Sequence, residues 1–158
     1  MILHAKFSAD RKYRYTLHRV WQPAAPLACY VLLNPSTADE TKNDPTVSRC
    51  QTRAINAGFG GLIVVNIFAW RSTDPAELYR VPDPVGMASN DRFIIEAVRG
   101  SHLVVCGWGK HGALAGRGSE VLKLIRSAGK TPHALRINSD GSPEHPLYLS
   151  YKLQPLPI

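Results

Sequence analysis

The chain contains no apolar run near the roughly 18 residues that a membrane-spanning helix needs. No signal-peptide-like apolar stretch follows Met1-Ile2-Leu3-His4-Ala5-Lys6. These absences lead to the expectation of a cytoplasmic protein with no membrane partner. Cysteine is scarce: Cys29, Cys50 and Cys106 are the only three, and none forms a Cys-x-x-Cys pair. That sets aside a disulfide framework and a zinc knuckle. The three read as buried free thiols, and a nucleophilic Cys106 beside Gly107 finds no local base. Neither Gly-x-Gly-x-x-Gly nor a Walker loop occurs, so nothing calls for a nucleotide cofactor. His102, His111, His133 and His145 lack metal-ligand spacing, and no metal is expected. Acidic residues are few, 12 against 19 lysines and arginines, giving a formal charge of +7. Such a balance suits a polyanion partner, because each phosphate neutralised releases condensed counterions; it also suits a merely soluble basic surface.

What is present fits one globular domain spanning residues 1–158. Length allows a core, and 44% hydrophobic with 20% charged residues is ordinary for a folded protein. Tyr13–Trp21 alternates with period two on its Tyr13, Tyr15, Leu17 face, which predicts a half-exposed strand at a sheet edge. Leu27–Leu33 is continuously apolar, as a strand covered on both faces should be. Asp44-Pro45 reads as an N-cap followed by proline at the first helical position. Val47, Cys50, Ala54 and Ile55 then recur at helical spacing up to Gly58. Leu62–Asn66 and Leu103–Cys106 are two more buried strands. Asn90 is placed as the cap of a helix carrying Phe93, Ile94, Ala97 and Val98. Val121, Leu122, Leu124 and Ile125 mark another helix, and His133–Ile137 a last short strand. The resulting order predicts a three-layer α/β/α domain with a mainly parallel central sheet. The segment from Ile67 to Ser89 has no pattern of its own, and long loops of that kind are usually functional.

Polar groups gather where the buried strands end, the rim at which open α/β sheets bind ligands. Asn34-Pro35-Ser36 follows the first. Its carboxamide can hold a water and its hydroxyl can donate, or the segment is simply an Asx-type turn. Asn66 ends the second, where a carboxamide can pair with a nucleobase edge or merely terminate the strand. Phe68 or Trp70 is either a stacking surface or core, and Arg71 either a phosphate contact or a solvated charge. Gly107-Trp108-Gly109-Lys110 follows the third, with Lys110 as a phosphate contact and the glycines as a tight turn. His145-Pro146 comes after Asp140-Gly141-Ser142-Pro143, and a histidine there can steady a leaving anion or sit in a surface turn.

Two resemblances arise from these residues. Tyr13-Arg14-Tyr15, Leu33-Asn34-Pro35-Ser36-Thr37-Ala38-Asp39, Asp44-Pro45-Thr46, Val65-Asn66-Ile67-Phe68-Ala69, Gly107-Trp108-Gly109 and His145-Pro146-Leu147-Tyr148-Leu149 resemble the bacterial and phage family of domain of unknown function 1643. More distantly, the order of motifs is similar to the uracil-DNA glycosylase superfamily. The matching elements are Asn34-Pro35 after the first core strand, Asn66 at the end of a later one, Trp108-Gly109-Lys110, and the final motif. That last reads His145-Pro146-Leu147-Tyr148-Leu149-Ser150 against the superfamily's His-Pro-Ser-Pro-Leu-Ser.

The resemblance implies a glycosylase-like fold and hydrolytic removal of a base from nucleic acid, DNA rather than RNA, with no cofactor. By the same resemblance Asn34 positions the attacking water and His145 steadies the departing base. Asn66 reads the flipped base beside Pro35, Ser36, Phe68 and Trp108, and Leu149 fills the gap that flipping leaves. Arg71, Lys110 and Ser150 face the backbone of the nucleic acid. The chain departs from the pattern at Leu32 and Leu33, where those enzymes place glycine, and at Leu147-Tyr148, where they have Ser-Pro. It also lacks an Asp in the water motif, with Asp39 and Asp44 the carboxylates that could fold back. A base-binding module without turnover and a hydrolase of free nucleosides or nucleotides are the alternative functions.

Overall fold

The computed structural model describes residues 1–158. Its centre is one seven-stranded sheet in the order β1-β2-β4-β3-β5-β6-β7. The strands are β1 (Ile2–Phe7), β2 (Arg14–Val20), β3 (Leu27–Leu32), β4 (Gly61–Asn66), β5 (Leu103–Gly107), β6 (Pro132–Ala134) and β7 (Leu156–Pro157). Helices α1 (Pro45–Asn56), α2 (Met87–Arg99) and α3 (Arg117–Ser127) connect the inner strands. The sheet is mixed, not mainly parallel. β4, β3, β5 and β6 run parallel, while β1, β2 and β7 are antiparallel to their neighbours.

Alternation along β3 assigns the two faces. Cys29 and Val31 pack with Ile94 and Val98 of α2 and Val121 and Ile125 of α3. Ala28, Tyr30 and Leu32 pack with Val47, Cys50 and Ala54 of α1. One face thus carries two helices and the other only one, supplemented by the chain after His145, which contributes Leu149 and Leu153. Asp44 caps α1 as expected, its Oδ1 accepting from the Val47 N–H at 2.9 Å with proline at N1. All three cysteines are buried free thiols. Burial pushes Cys29 and Cys50 up to about 12, and Cys106 also well up, which leaves them protonated and inert.

Several sequence expectations give way. Tyr13–Trp21 does not form an edge, because Ile2–Phe7 adds a further strand outside it. β2 is an inner strand with both faces packed, and Arg14, Thr16 and Leu17 are all buried. Asn90 is not a cap: α2 starts at Met87 behind Gly86, and Asn90 lies a turn inside. Its buried amide donates to the carbonyls of Asn66 and Ile67 (3.0 and 3.3 Å), closing the end of β4. The last parallel strand is Pro132–Ala134, shorter than His133–Ile137 and shifted toward the N-terminus by one residue.

The topology fixes where a ligand can enter. From β3 the chain crosses to β4 on one side, then returns past β3 to β5 on the other. The crossovers diverge between β3 and β5, and such a switch point leaves a crevice outside the carboxyl ends of the two strands. Those ends are Asn34-Pro35-Ser36 and Trp108-Gly109-Lys110.

Candidate functional site

A cleft of about 550 Å³ opens at this switch point. Asn34, Ser36, Trp108, Lys110, His111 and His145 reach it from three distant segments. Two further contributors come from places the sequence reading had given other roles. Asp44 and Thr46 arrive with the start of α1, and Ser72 and Thr73 with the long loop after β4. A second, much smaller cavity of about 40 Å³ adjoins the cleft, sharing Asn34, Ser36, Asp44, Thr46 and His145, and adds Arg14 and Asn66. Its volume suits one water, whose share of the liquid is about 30 Å³, and excludes a base.

The side chains around this small cavity have defined orientations. The Asn34 amide donates to the carbonyls of Ser72 (2.8 Å) and Pro35 (3.2 Å). Only the nitrogen can face two carbonyls, so Oδ1 is turned away with no protein donor, free to accept from water. Asn66 is set the other way. Its Oδ1 accepts from Arg14 Nη2 at 3.2 Å, leaving Nδ2 as the open donor. The Nδ1 of His145 accepts from the Leu147 N–H at 3.3 Å, which assigns the proton of the neutral ring to Nε2. Burial pushes His145 down, partly offset by the Asp44 carboxylate, and the ring is neutral at pH 7. Arg14 is buried, and desolvation lowers it to about 10. Its bonds go to Asn66 Oδ1 and the Ala38 carbonyl, and its Nε has no partner.

Asp44 has two positions to hold at once. Oδ1 caps α1, Oδ2 accepts from the Ala38 N–H at 3.4 Å, and the carboxylate borders both cavities. Asp39, the other nearby acid, folds into its own turn, accepting from Thr41 and Lys42, and does not line either cavity. Gly107 allows the last segment to close over the site. A Cβ there would lie 2.9 Å from Pro146 Cδ and 3.2 Å from the Glu144 carbonyl.

Beside the cleft runs an open trough of about 390 Å³ lined by Arg11, Lys12, Arg71 and Trp70, sharing Ser36, Ser72 and Thr73 with it. Arg11 is held by both oxygens of Glu40, so Lys12 and Arg71 are the trough's free cations, set against one carboxylate, Glu77, which accepts from Trp70 and Ser72. Across the cleft mouth, Tyr79 Oη bonds His111 Nδ1 at 3.0 Å, tying the loop after β4 to the one after β5.

The structure therefore brings Asn34, Ser36, Trp108, Lys110 and His145 to one cleft, with Pro35 and Asn66 behind it and Arg71 beside it. It does not bring in Phe68, which is 0% exposed in the core beneath α2. Leu149 is 5% exposed and belongs to the core under α1, its carbonyl held by Arg53, so it cannot fill a gap in a duplex. Tyr148, one residue earlier, is 92% exposed and is the side chain that projects. Ser150 is turned into the tail, its hydroxyl accepting from the Lys152 N–H. Trp108 lies flat on Gly112 and Gly118, where a Cβ would strike the indole at 2.1 and 2.7 Å, so its ring is a wall and not a free stacking surface. Arg14, Ser72 and Thr73 are site residues that sequence reasoning did not name as such, whereas Asp44 stood there both as a helix cap and as a carboxylate able to fold back. No three His, Cys, Asp or Glu side chains converge. No helix is long and apolar enough to cross a membrane.

The family described as Protein of unknown function (DUF1643) matches residues 14–147, and the chain belongs to it. That span runs from the buried Arg14 to Leu147 at the cleft. No curated protein and no solved structure matches the chain.

Proposed function

We propose that this family member hydrolyses the N-glycosidic bond of a nucleobase seated in the cleft, on a nucleic-acid strand that follows the basic trough. The observation that carries the reading is the meeting of Asn34 and Asn66, from two strand ends, with His145, from the cap of the Pro146–Tyr148 turn, around a water-sized cavity that opens on a base-sized cleft. The distant likeness of the motif order to uracil-DNA glycosylases supports it, as does the switch-point position.

The chemistry follows from the orientations. The C1′–N bond breaks with its electron pair leaving on the base, and the sugar becomes oxocarbenium-like. The Nε2–H of neutral His145 donates to the developing base anion, assisted by Lys110. A water held by Asn34 Oδ1 attacks C1′, and its proton passes to the Asp44 carboxylate. Asn66 Nδ2 and the charge of Arg14 stand behind that water and fix its lone pairs. Ser36, Ser72 and Thr73 offer donors where cleft and trough join, with Lys12 and Arg71 facing phosphates. Tyr148, not Leu149, takes the place of the flipped base.

A base-binding module without turnover is the rival. Asp44 favours it, since both carboxylate oxygens already accept backbone N–H bonds and are committed to holding the start of α1. An abasic-site assay on single- and double-stranded oligonucleotides carrying uracil, hypoxanthine or mismatched thymine separates the two. Hydrolysis predicts strand scission after base release, lowered about 10²–10⁴-fold in Asn34→Ala and in His145→Ala. Salt-sensitive binding with no release at excess protein rejects it for the module.

A further inference from the structure

On the single-helix face of the sheet, sharing no residue with the cleft, lies a half-open pocket of about 290 Å³ between α1, the first residues of β3 and β5, and the C-terminal tail. Its walls are mostly apolar, with Phe59, Leu103, Leu135, Leu153 and the ring of Tyr151 among them. Into this largely apolar space the fold puts two polar groups with hydrogen-bonding capacity left over. Tyr30 is 3% exposed, lines the pocket, and its hydroxyl makes no hydrogen bond to the protein. Arg53 is 6% exposed, and its only bonds run from Nη2 to the carbonyls of Leu149 and Ser150. Its Nε is buried without a partner.

Charge makes the arrangement more unusual. No aspartate or glutamate lines the pocket, and Arg53 has no ion pair. The neighbouring Arg49 is no better matched: it points a guanidinium at the Leu149 carbonyl and over the Tyr151 ring, with its own Nε orphaned. A buried cation without a counter-charge is costly, and an unpaired phenol in an apolar wall adds to that cost. Both are relieved by one kind of guest. Burial holds Tyr30 protonated, so it donates.

We propose that this pocket binds a small organic monoanion with a planar, largely apolar body, its carboxylate taken by Arg53 and the Tyr30 hydroxyl and its ring lying among Phe59, Leu103, Leu135 and Tyr151. The volume is at the lower end of ligand pockets, roughly 300–1,000 Å³, which selects single-ring or fused-ring acids over nucleotides. The proposal is independent of the reaction assigned to the cleft.

Isothermal titration with benzoate and indole-3-carboxylate tests it on the whole chain, beside benzyl alcohol (body without charge) and inorganic phosphate (charge without body). Saturable one-to-one binding of the carboxylates is expected, with both controls at least about tenfold weaker. Tyr30→Phe should weaken benzoate severalfold while the protein stays folded. Ala57→Phe, which fills the pocket mouth from an exposed position, should abolish binding without lowering Tm. Arg53→Met should also abolish it, and Tyr30→Phe keeps the test decisive where loss of the Arg53 bonds unfolds the tail. Benzyl alcohol binding as tightly as benzoate, binding that survives Ala57→Phe, or no saturation at millimolar carboxylate would each overturn the assignment.

Discussion

Two arginines, equally buried, meet the end of β4 from opposite faces of the sheet, and they are treated differently. Arg117, the first residue of α3, is buried beside α2 with every nitrogen engaged. Its Nε donates to the Ile67 carbonyl at 2.7 Å, and its terminal nitrogens pair with Asp91 and Glu120 at 2.6 and 2.7 Å. Arg14 meets the adjacent residue, Asn66, but has no carboxylate partner and leaves Nε unbonded. Neutralised and fully bonded, the first holds the crossover after β4 in place. The second borders an open cavity with an unspent donor and charge. Buried polar groups are normally satisfied, so the exceptions mark where a protein keeps capacity for something else.

The largest expected effect breaks the satisfied member. Arg117→Met strands Asp91 half-buried and removes the donor to Ile67, and should cost about 3–5 kcal/mol in urea unfolding. A loss below about 1 kcal/mol would mean that the ion pairs contribute nothing net. Arg14→Met should cost less, about 1–3 kcal/mol, because it deprives two oxygens of donors but strands no opposite charge. Under the proposed hydrolysis, base release should fall further than stability, since Asn66 loses the bond that sets its amide. An Arg14→Met protein with full base release would remove Arg14 from the site.

Next comes Gly107→Ala. Its Cβ meets Pro146, the Glu144 carbonyl and Leu32, so β5 and the His145 segment must separate by several tenths of an ångström. The expected stability loss is about 1–2 kcal/mol, at the lower end for overpacking. The same shift moves His145 relative to Asn34, and base release should fall by more than the unfolding data explain. Equal losses by both measures would show that Gly107 matters only for packing.

The contrast between the two arginines also shows what the sequence could carry. Leu27–Leu33, Gly61–Asn66 and the Asp44-Pro45 helix start were legible because continuous apolar runs and cap chemistry are local signals. β1 was not: Ile2–Phe7 is mostly exposed and has only Ala5 buried, so no face stands out. Asn90 was misplaced because an Asn that can cap a helix through its oxygen can equally bond backbone carbonyls through its nitrogen, as it does here. At the site, Asn34, Asn66 and His145 were visible as polar groups ending strands. Their convergence was not, because it depends on β3 lying between β4 and β5. Arg14 was hidden for a different reason. Its alternating neighbours Tyr13 and Tyr15 suggested that their own face was the buried one. In fact Tyr15 stacks on Phe93 of α2 at 5.0 Å, half-buried, while the arginine is covered from the other side.

The smallest effect concerns pH and, at the cleft, falls on His145. His145 is held below its ordinary value of 6.5 chiefly by burial, with Asp44 opposing. The native ring thus binds fewer protons than the unfolded one just below pH 6.5, and stability must fall as pH drops. The contribution is fully present above 6.5, and its loss is complete once pH passes the lowered native value. Protonation also places a hydrogen on Nδ1, which then faces the Leu147 N–H it had accepted from, and the 145–148 turn opens. His18 shifts in the same direction through burial beside His4, so the two must be separated. Urea unfolding at about pH 5 and pH 7.5 does this with His145→Gln and His18→Gln. Each should lose part of the wild-type difference, and only His145→Gln should also lose acid-induced exposure of the segment by hydrogen exchange. A His145→Gln protein with the full wild-type pH dependence would mean that the ring is as free to protonate when folded as when unfolded, and the neutral Nε2–H donor would have to be given up.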